Sequence, residues 1–279
     1  MANANSILLN SFFTRSAFRN LIDNDDTTAF QEAVQRYVQN YQTKNHFQCI
    51  SDIYDFLSKY YPNEYYYKNT LLNKLLFGIH SPRTTTALTE LPIENSKADF
   101  VLINGQAVVY EIKTPLDNLD RLESQLHDYY KAFSKVIVFT SEEHAKSLEK
   151  KFKDSPVGIY TLTSRKTIHR CKQAEEYKEQ LSKSTMFKIL RKKEQEEIIK
   201  YYYGELPQVS QFKYYRACKS MFEELSTIDS YTAFIKSLKA RVKLATKPDE
   251  RVPKALSFIT YFSNYDSKDY LKLINFLYN

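Results

Sequence analysis

Glycine is scarce in this chain, which has 4 glycines among 279 residues and no tryptophan. Rossmann and P-loop folds hold phosphates in glycine-rich loops, and neither G-x-G-x-x-G nor G-x-x-x-x-G-K occurs in the sequence. The scarcity of glycine therefore argues against ATP and dinucleotide chemistry.

Cysteine is also rare, with isolated residues at Cys49, Cys171 and Cys218. The lack of a C-x-x-C pair argues against a zinc ribbon or finger. An odd number of scattered cysteines fits a reducing compartment, so we expect a cytoplasmic protein. The N-terminus lacks the pattern of a secretory signal, and no stretch reaches about 18 apolar residues, so no membrane span is expected.

The net charge of +7 and the isoelectric point near 9.0 indicate a mildly basic surface. Such a surface favours phosphate polyanions through counterion release. Many soluble proteins of this size are mildly basic and bind no nucleic acid, so charge alone does not identify a partner.

The hydrophobic pattern changes from helical to strand-like near residue 86. The predicted order is helices, strand, hairpin, helix, strand, helix, strand, which is typical of an α/β fold with a mixed β-sheet flanked by helices. We expect a helical N-terminal region at 1–63, an α/β core at 64–164 and a helical C-terminal region at 165–279.

Within this plan, several elements have specific signals. A helix is predicted from Glu64 to Phe77, with Gly78 just past its end. Pro92 near the end of the first strand suggests an edge strand or a bend. The apolar run 135–140 predicts a strand buried on both faces. From 165 onward the sequence reads as helix, with breaks at 204–207 and 247–253.

An Asn104-Gly105 pair between two apolar runs predicts a β-hairpin with positive φ at both turn positions. Asp99 lies on the first strand of this hairpin, and Glu111 and Lys113 lie two residues apart on the second, facing the same side. A turn symmetric about the pair would set residue 99 opposite residue 110, so a bulge or bend would be needed to bring Asp99 onto that face.

Two carboxylates and a lysine at strand ends suggest a magnesium site for phosphodiester chemistry. Mg²⁺ prefers oxygen ligands, and one or two carboxylates with substrate phosphates satisfy it. The metal would lower the pKa of a bound water, and Lys113 would neutralise charge that develops on the phosphate.

A predicted helix from about 118 to 133 follows Lys113, with Asp117 as its cap. Asp117, Arg121, Gln125 and Tyr129 recur every four residues and form one polar ridge, and Arg121 suits a phosphate. The alternative is an exposed face with an Arg–carboxylate pair. A neighbouring apolar ridge is expected to pack on the sheet, formed by Leu122, Leu126, Tyr130 and Phe133.

These residues carry a resemblance to the PD-(D/E)XK nuclease superfamily, whose strand Asp and following E-x-K match Asp99, Glu111 and Lys113. Gln125 and Tyr129 match the Q-x-x-x-Y signature of its RecB-like branch. The run from Glu111 to Tyr129 also resembles a poorly characterised bacterial and phage family with the pattern E-I-K-[ST]-x-x-D-x-x-x-R-L-x-x-Q-x-x-x-Y. The resemblance covers about residues 65–143.

The resemblance implies a restriction-endonuclease-like core and a Mg²⁺- or Mn²⁺-dependent nuclease, with DNA as the favoured substrate in repair, restriction or phage defence. It implies that Asp99, Glu111 and Lys113 are catalytic and that Asp99 and Glu111 bind the metal. Arg121, Gln125 and Tyr129 are then candidates for substrate binding.

Glu90 is a further candidate metal ligand, because the resembling families often have an upstream carboxylate. Glu64 competes with it, although the helix dipole explains a first-turn glutamate. His127 and His144 are expected to be surface or partly packed residues rather than bases.

Two other function classes stay open: a non-catalytic nucleic-acid-binding module on the same fold, and a protein-interaction module that uses the helical ends. The segments 188–193, 201–203 and 213–216 interleave cations with aromatic residues, a mixture that can bind single strands. We favour the simpler interpretation, a helix with its basic side in water and its tyrosines packed.

Overall fold

The computed structural model describes residues 2–241 and 249–279 of the chain. The described residues form two compact units, one from those within 1–83 and 245–279 and the other from those within 84–244. The sequence-based divisions at 63/64 and 164/165 do not coincide with these limits. Residue 1 and the part of the predicted break at 247–248 lie outside the described residues.

The first unit is helical throughout its described residues. Its helices are α1 Ala2–Phe12, α2 Arg15–Asn24, α3 Thr28–Tyr37, α4 His46–Tyr60 and α5 Glu64–Leu71, and, near the C-terminus, α12 Ser257–Phe262 and α13 Ser267–Leu277. Aromatic side chains dominate its core. The rings of Phe13 and Tyr65 stack at 4.8 Å. The rings of Phe30, His46 and Phe276 contact one another, with centroids 4.4, 4.5 and 5.0 Å apart.

The helix predicted from about Glu64 to Phe77 is present, but its second half is not α-helical, and the prediction that Gly78 follows its end is wrong. A π-helical segment, Leu72–Ile79, follows α5 directly, and the amide of His80 donates to the carbonyl of Leu75, five residues earlier. The wider turn carries the helix past Gly78, which therefore lies inside the segment instead of ending the helix.

The second unit contains a mixed six-stranded sheet in the order of the sequence, β1-β2-β3-β4-β5-β6. The first three strands and the last pair are antiparallel, whereas β3, β4 and β5 run parallel. The strands are β1 Thr86–Ile93, β2 Ser96–Asn104, β3 Gln106–Lys113, β4 Val136–Ser141, β5 Gly158–Leu162 and β6 Ile168–Lys172. The predicted α/β fold with a mixed sheet and flanking helices is confirmed.

Parallel pairing requires crossovers, which two helices supply. The first, α6 Leu122–Tyr130, joins β3 to β4, and the second, α7 Glu142–Lys151, joins β4 to β5. Every residue of β4 is buried, as the apolar run predicts, and β1 with Pro92 is an edge strand, as also predicted.

The C-terminal half of the second unit is not helical throughout, so that prediction is wrong. Strand β6 follows β5 and forms the other edge of the sheet. The helices of this C-terminal half are α8 Lys183–Ile189, α9 Lys192–Tyr203, α10 Gln211–Glu224 and α11 Thr227–Lys239. Among the helices that the structure describes, none has the length and apolar character needed to cross a membrane.

Candidate active site at the ends of β2 and β3

The hairpin between β2 and β3 turns through a single residue. Asn104 pairs with Gln106, and Gly105 between them has φ of 70°. The prediction of positive φ at both Asn104 and Gly105 is wrong, because of these two only Gly105 lies in the left-handed region. The turn is therefore one residue shorter than predicted, and the register of the whole hairpin shifts by one.

This register brings the two predicted carboxylates to the same face. Phe100 and Tyr110 form the last pair of the two strands, and extending this register by one residue sets Asp99 across from Glu111. Opposed residues of an antiparallel pair project to the same side of the sheet. The bulge that the symmetric turn would have required is not needed in this hairpin.

Beyond that pair the two strands separate. Glu111, Ile112 and Lys113 continue to pair with the parallel strand β4, whereas the pairing of β3 with β2 has ended. Asp99 Oδ2 accepts a hydrogen bond of 2.8 Å from the backbone N–H of Ile112. A carboxylate thus replaces the missing backbone partner, and this contact fixes Asp99 beside the end of β3.

Glu111 is the buried centre of the site, with 1% of its surface exposed. Its Oε1 lies 3.0 Å from Lys113 Nζ, and its Oε2 lies 2.6 Å from the hydroxyl of Tyr129. Lys113 Nζ also donates to Gln125 Oε1 at 2.9 Å. A buried carboxylate is tolerated only when it is paired and hydrogen-bonded, and both of these oxygens meet that condition.

The hydroxyl of Tyr129 is a fixed donor. The side chain is fully buried, and its oxygen also lies 3.0 Å from the carbonyl of Lys97. Burial raises the pKa of Tyr129 well above its ordinary value of 10.0, and the negative charges of Glu111 and Asp99 raise it further. Tyr129 therefore keeps its proton and can donate it in a hydrogen bond to the nearby carboxylate.

Helix α6 brings Gln125 and Tyr129 to the strand ends because the two residues lie one turn apart on one ridge. The neighbouring apolar ridge packs on the sheet, which confirms that prediction. Its members are all buried in the core of this unit: Leu122, Leu126, Tyr130 and Phe133.

The first half of the predicted polar ridge does not exist, because α6 begins at Leu122 and not near 118. Asp117 Oδ2 accepts from the backbone N–H and the hydroxyl of Thr114 at 2.7 and 2.8 Å, so it stabilises a turn after β3 and not the helix. Arg121 stands at the start of α6 and is exposed. It forms no ion pair with any described residue, so the predicted alternative of an Arg–carboxylate pair is also wrong.

Glu90 lies on β1 across from Asp99, where it interrupts the pairing with φ of 53°. Its Oε2 lies 3.8 Å from Lys97 Nζ. Glu64 forms an ion pair with Lys68 at 2.5 Å in the helical unit. Within residues 2–241 and 249–279, no three His, Cys, Asp or Glu side chains form a group that could hold a metal ion.

A divalent cation would therefore depend on two carboxylates, Asp99 and Glu111. Their oxygens have the chemistry that Mg²⁺ and Mn²⁺ accept, and Mg²⁺ is often bound by one or two carboxylates with several waters. The ammonium group of Lys113 at Glu111 Oε1 is itself a cation beside this oxygen. The donor set fits a metal that competes with Lys113 for the same oxygen.

Two threonines that the sequence does not single out hold the backbone of the site. The hydroxyl of Thr140 on β4 donates to the carbonyl of Lys113, and that of Thr89 on β1 donates to the carbonyl of Asp99, both at 2.8 Å. Thr140 stands at the end of β4, the strand that runs parallel to β3, and this position is the signal that could have identified it.

His127 is exposed and His144 is partly buried, which confirms the prediction for both. The Nε2 atom of His144 is buried without a hydrogen-bond partner among the described residues.

The basic and aromatic segments lie at the end of α8, on α9 and on α10, and their tyrosines are not all packed as predicted. Tyr201 and Tyr215 expose more than half of their surface, and Tyr203 is also exposed. Tyr202 and Tyr214 are partly buried. The simpler interpretation therefore holds for only part of this segment.

Comparison with known proteins gives one family and one relative. The profile of the family described as Bacteriophage P4 protein cII matches residues 58–248, a range that includes every residue of the site above. Protein cII of Enterobacteria phage P4 is 29% identical over 89 residues, which are 31% of this chain. The match spans about a third of that relative's length, 33%. No solved structure matches the chain.

Proposed function

This chain belongs to the bacteriophage P4 protein cII family, and from its buried site we propose that it is a metal-dependent nuclease that hydrolyses phosphodiester bonds. The observation that carries the proposal is the convergence of Asp99, Glu111 and Lys113 at the separated ends of β2 and β3. The proposal includes membership in the PD-(D/E)XK superfamily, DNA as the substrate, and a role in repair, restriction or phage defence.

Burial supports a chemical role for Glu111 more than a structural one. A buried ion pair is often no more stabilising than well-packed apolar residues, so stability alone gives little reason to keep Glu111 and Lys113 together. At the open end of a sheet, the same pair can meet a substrate.

Asp99 and Glu111 would hold Mg²⁺ or Mn²⁺, which when bound would acidify a water and stabilise the charge of the reacting phosphate. Lys113 would turn its ammonium group from Glu111 toward that water or a phosphate oxygen. The oxygen of that water would form the new bond to phosphorus and release its proton to solvent. The bridging P–O bond would break, and the departing oxygen would take a proton from solvent.

Gln125 and Tyr129 are proposed to act through other residues, since their polar atoms already contact Lys113 and Glu111. They would fix the ammonium group and the carboxylate in place. Arg121 is exposed at the start of α6 and free of ion pairs with described residues, so it remains the candidate for a direct phosphate contact. Glu90 is kept as a candidate ligand only through a conformational change that brings it to the metal.

The experiment is cleavage of labelled duplex and single-stranded DNA and RNA by the full chain, with Mg²⁺, Mn²⁺ or EDTA. Asp99→Asn keeps an acceptor for the N–H of Ile112, and Lys113→Met keeps most of the side-chain volume. We expect cleavage with either metal, and at least a hundredfold loss in both variants.

The matched control is Glu194→Gln, because Glu194 is also a largely buried carboxylate, paired with Arg241 at 2.7 Å on α9. This variant should keep full cleavage. Equal cleavage by wild type, Asp99→Asn and Lys113→Met would refute the nuclease proposal.

A second candidate is a non-catalytic nucleic-acid-binding module on the same fold. It is favoured by the fact that Lys113 and Tyr129 already occupy both oxygens of Glu111. Salt-sensitive binding of DNA without turnover, unchanged by Lys113→Met, would support it. Purification of a stable protein partner at high salt, without nucleic acid, would instead support a protein-interaction role.

A further inference from the structure

The outer face of α10 exposes two aromatic rings between two cations. Phe212 is 97% exposed and Tyr215 is 51% exposed, and Lys213 and Arg216 are exposed beside them. Positions 212, 215 and 216 share one side of a helix, and 213 lies next to them. We call these four residues the α10 outer face.

The opposite side of the same helix is anchored in the unit. Cys218 and Phe222 are buried, and the ring of Phe222 lies 5.4 Å from that of Phe187. One side of Tyr215 also packs against Phe187, with ring centroids 5.5 Å apart. The exposed rings are therefore held on an ordered helix whose apolar side is already satisfied.

Two other exposed tyrosines, Tyr60 and Tyr201, have a cation over the ring. Lys236 lies 5.5 Å from the ring centre of Tyr201, and Lys59 lies 5.0 Å from that of Tyr60. In such pairs the charge and the ring satisfy each other.

The α10 outer face differs. Among the described residues, Phe212 has no aromatic or cation partner, and neither Lys213 nor Arg216 forms an ion pair. Its rings and charges are therefore available to a ligand.

We propose that the α10 outer face binds single-stranded nucleic acid, with bases stacked on Phe212 and Tyr215 and phosphates on Lys213 and Arg216. Aromatic rings that alternate with cations match the alternation of bases and phosphates along a strand. Charge complementarity favours a polyanion over an uncharged apolar partner. The proposal is independent of the nuclease function, because it uses none of the residues at the strand ends.

The test is fluorescence anisotropy of the full chain with a labelled oligothymidylate of about 16 nucleotides. EDTA is present so that no cleavage can occur. Loss of one stacked base weakens binding by roughly five- to 150-fold, which is the expectation for Phe212→Ala. The double variant Lys213→Ala/Arg216→Ala should lower the slope of log affinity against log salt by about 1.4.

The matched control is Lys59→Ala/Tyr60→Ala, which removes one exposed ring and one cation from the helical unit. It should leave affinity unchanged. Inorganic polyphosphate, which has charge but no bases, should bind wild type and Phe212→Ala equally, and this separates stacking from simple attraction.

Two results would overturn the proposal. One is oligothymidylate binding by Phe212→Ala at wild-type affinity. The other is tighter binding of phosphatidylglycerol vesicles than of the oligonucleotide, which would assign the exposed ring to a lipid surface. Loss of cleavage in Lys113→Met with unchanged oligothymidylate binding would support two separate sites, one for cleavage and one for binding on α10.

Discussion

Tyr129 and Tyr130 are neighbours on α6 whose hydroxyl groups have opposite environments. The hydroxyl of Tyr129 lies 2.6 Å from the buried carboxylate of Glu111. That of Tyr130 is buried without a hydrogen-bond partner among the described residues. The same substitution to phenylalanine at each position therefore tests the site with a built-in control.

Tyr129→Phe removes a hydrogen bond to a charged acceptor, which is worth about 1.5–3 kcal/mol. Glu111 is 1% exposed, so water cannot readily replace the lost donor. Tyr130→Phe removes a hydroxyl that loses its water on folding and gains nothing in return. That variant should be neutral or more stable, by up to about 2 kcal/mol.

The assay is urea and thermal unfolding of the two variants beside wild type. A loss of 1.5–3 kcal/mol corresponds to a fall in Tm of about 3–12 °C for a unit of this size. Equal destabilisation by both variants, or an unchanged Tm in Tyr129→Phe, would refute the claim that this hydroxyl supports the carboxylate.

Three further predictions concern pH, the turn and the strand ends. Burial raises the pKa of Tyr54, Tyr110 and Tyr129 above 10.0, so the folded chain holds protons that the unfolded chain releases above that pH. These three tyrosines should therefore leave the free energy of unfolding unchanged below pH 10.0 and lower it above pH 10.0. A Tm that does not fall above pH 10.0 would contradict their burial. Gly105→Ala should lower the free energy of unfolding by about 1–2 kcal/mol, because φ at this residue is 70°. Gly105→Asn should lower it less, and the urea midpoints of the two variants measure the difference. Thr140→Val should lower the free energy of unfolding by about 1 kcal/mol, because the hydrogen bond to the carbonyl of Lys113 is lost. The variant should also cleave more slowly. A variant equal to wild type in stability and in cleavage would show that Thr140 does not support the site.

Strong periodic signals predict the sheet well where burial is complete. The apolar run of β4 and the edge position of Pro92 are both borne out, since each depends on one local property. Strand β6 is missed because it is a partly exposed edge strand with charged residues and no apolar alternation. The π-helical segment after α5 is missed because its hydrophobic spacing does not differ enough from that of a regular helix.

The candidate site depends on details that no pattern fixes. Whether one or two residues form the turn at Gly105 decides whether Asp99 lies across from Glu111 or from its neighbour. The four-residue spacing from Asp117 onward suggests a helix, but the Asp117 side chain bonds to Thr114, and α6 begins only at Leu122. A four-residue spacing of side chains places them on one face only if the segment is a helix.

Equilibrium binding of Mn²⁺ tests the central claim, that Asp99 and Glu111 together hold a divalent cation in competition with Lys113. We predict binding to the wild-type chain and a loss of at least about tenfold in affinity for Asp99→Asn. The variant Lys113→Met should bind the ion more tightly than wild type, because it frees Glu111 Oε1, while cleaving no substrate. No measurable binding to wild type, or equal binding by Asp99→Asn and the control Glu194→Gln, would contradict the account.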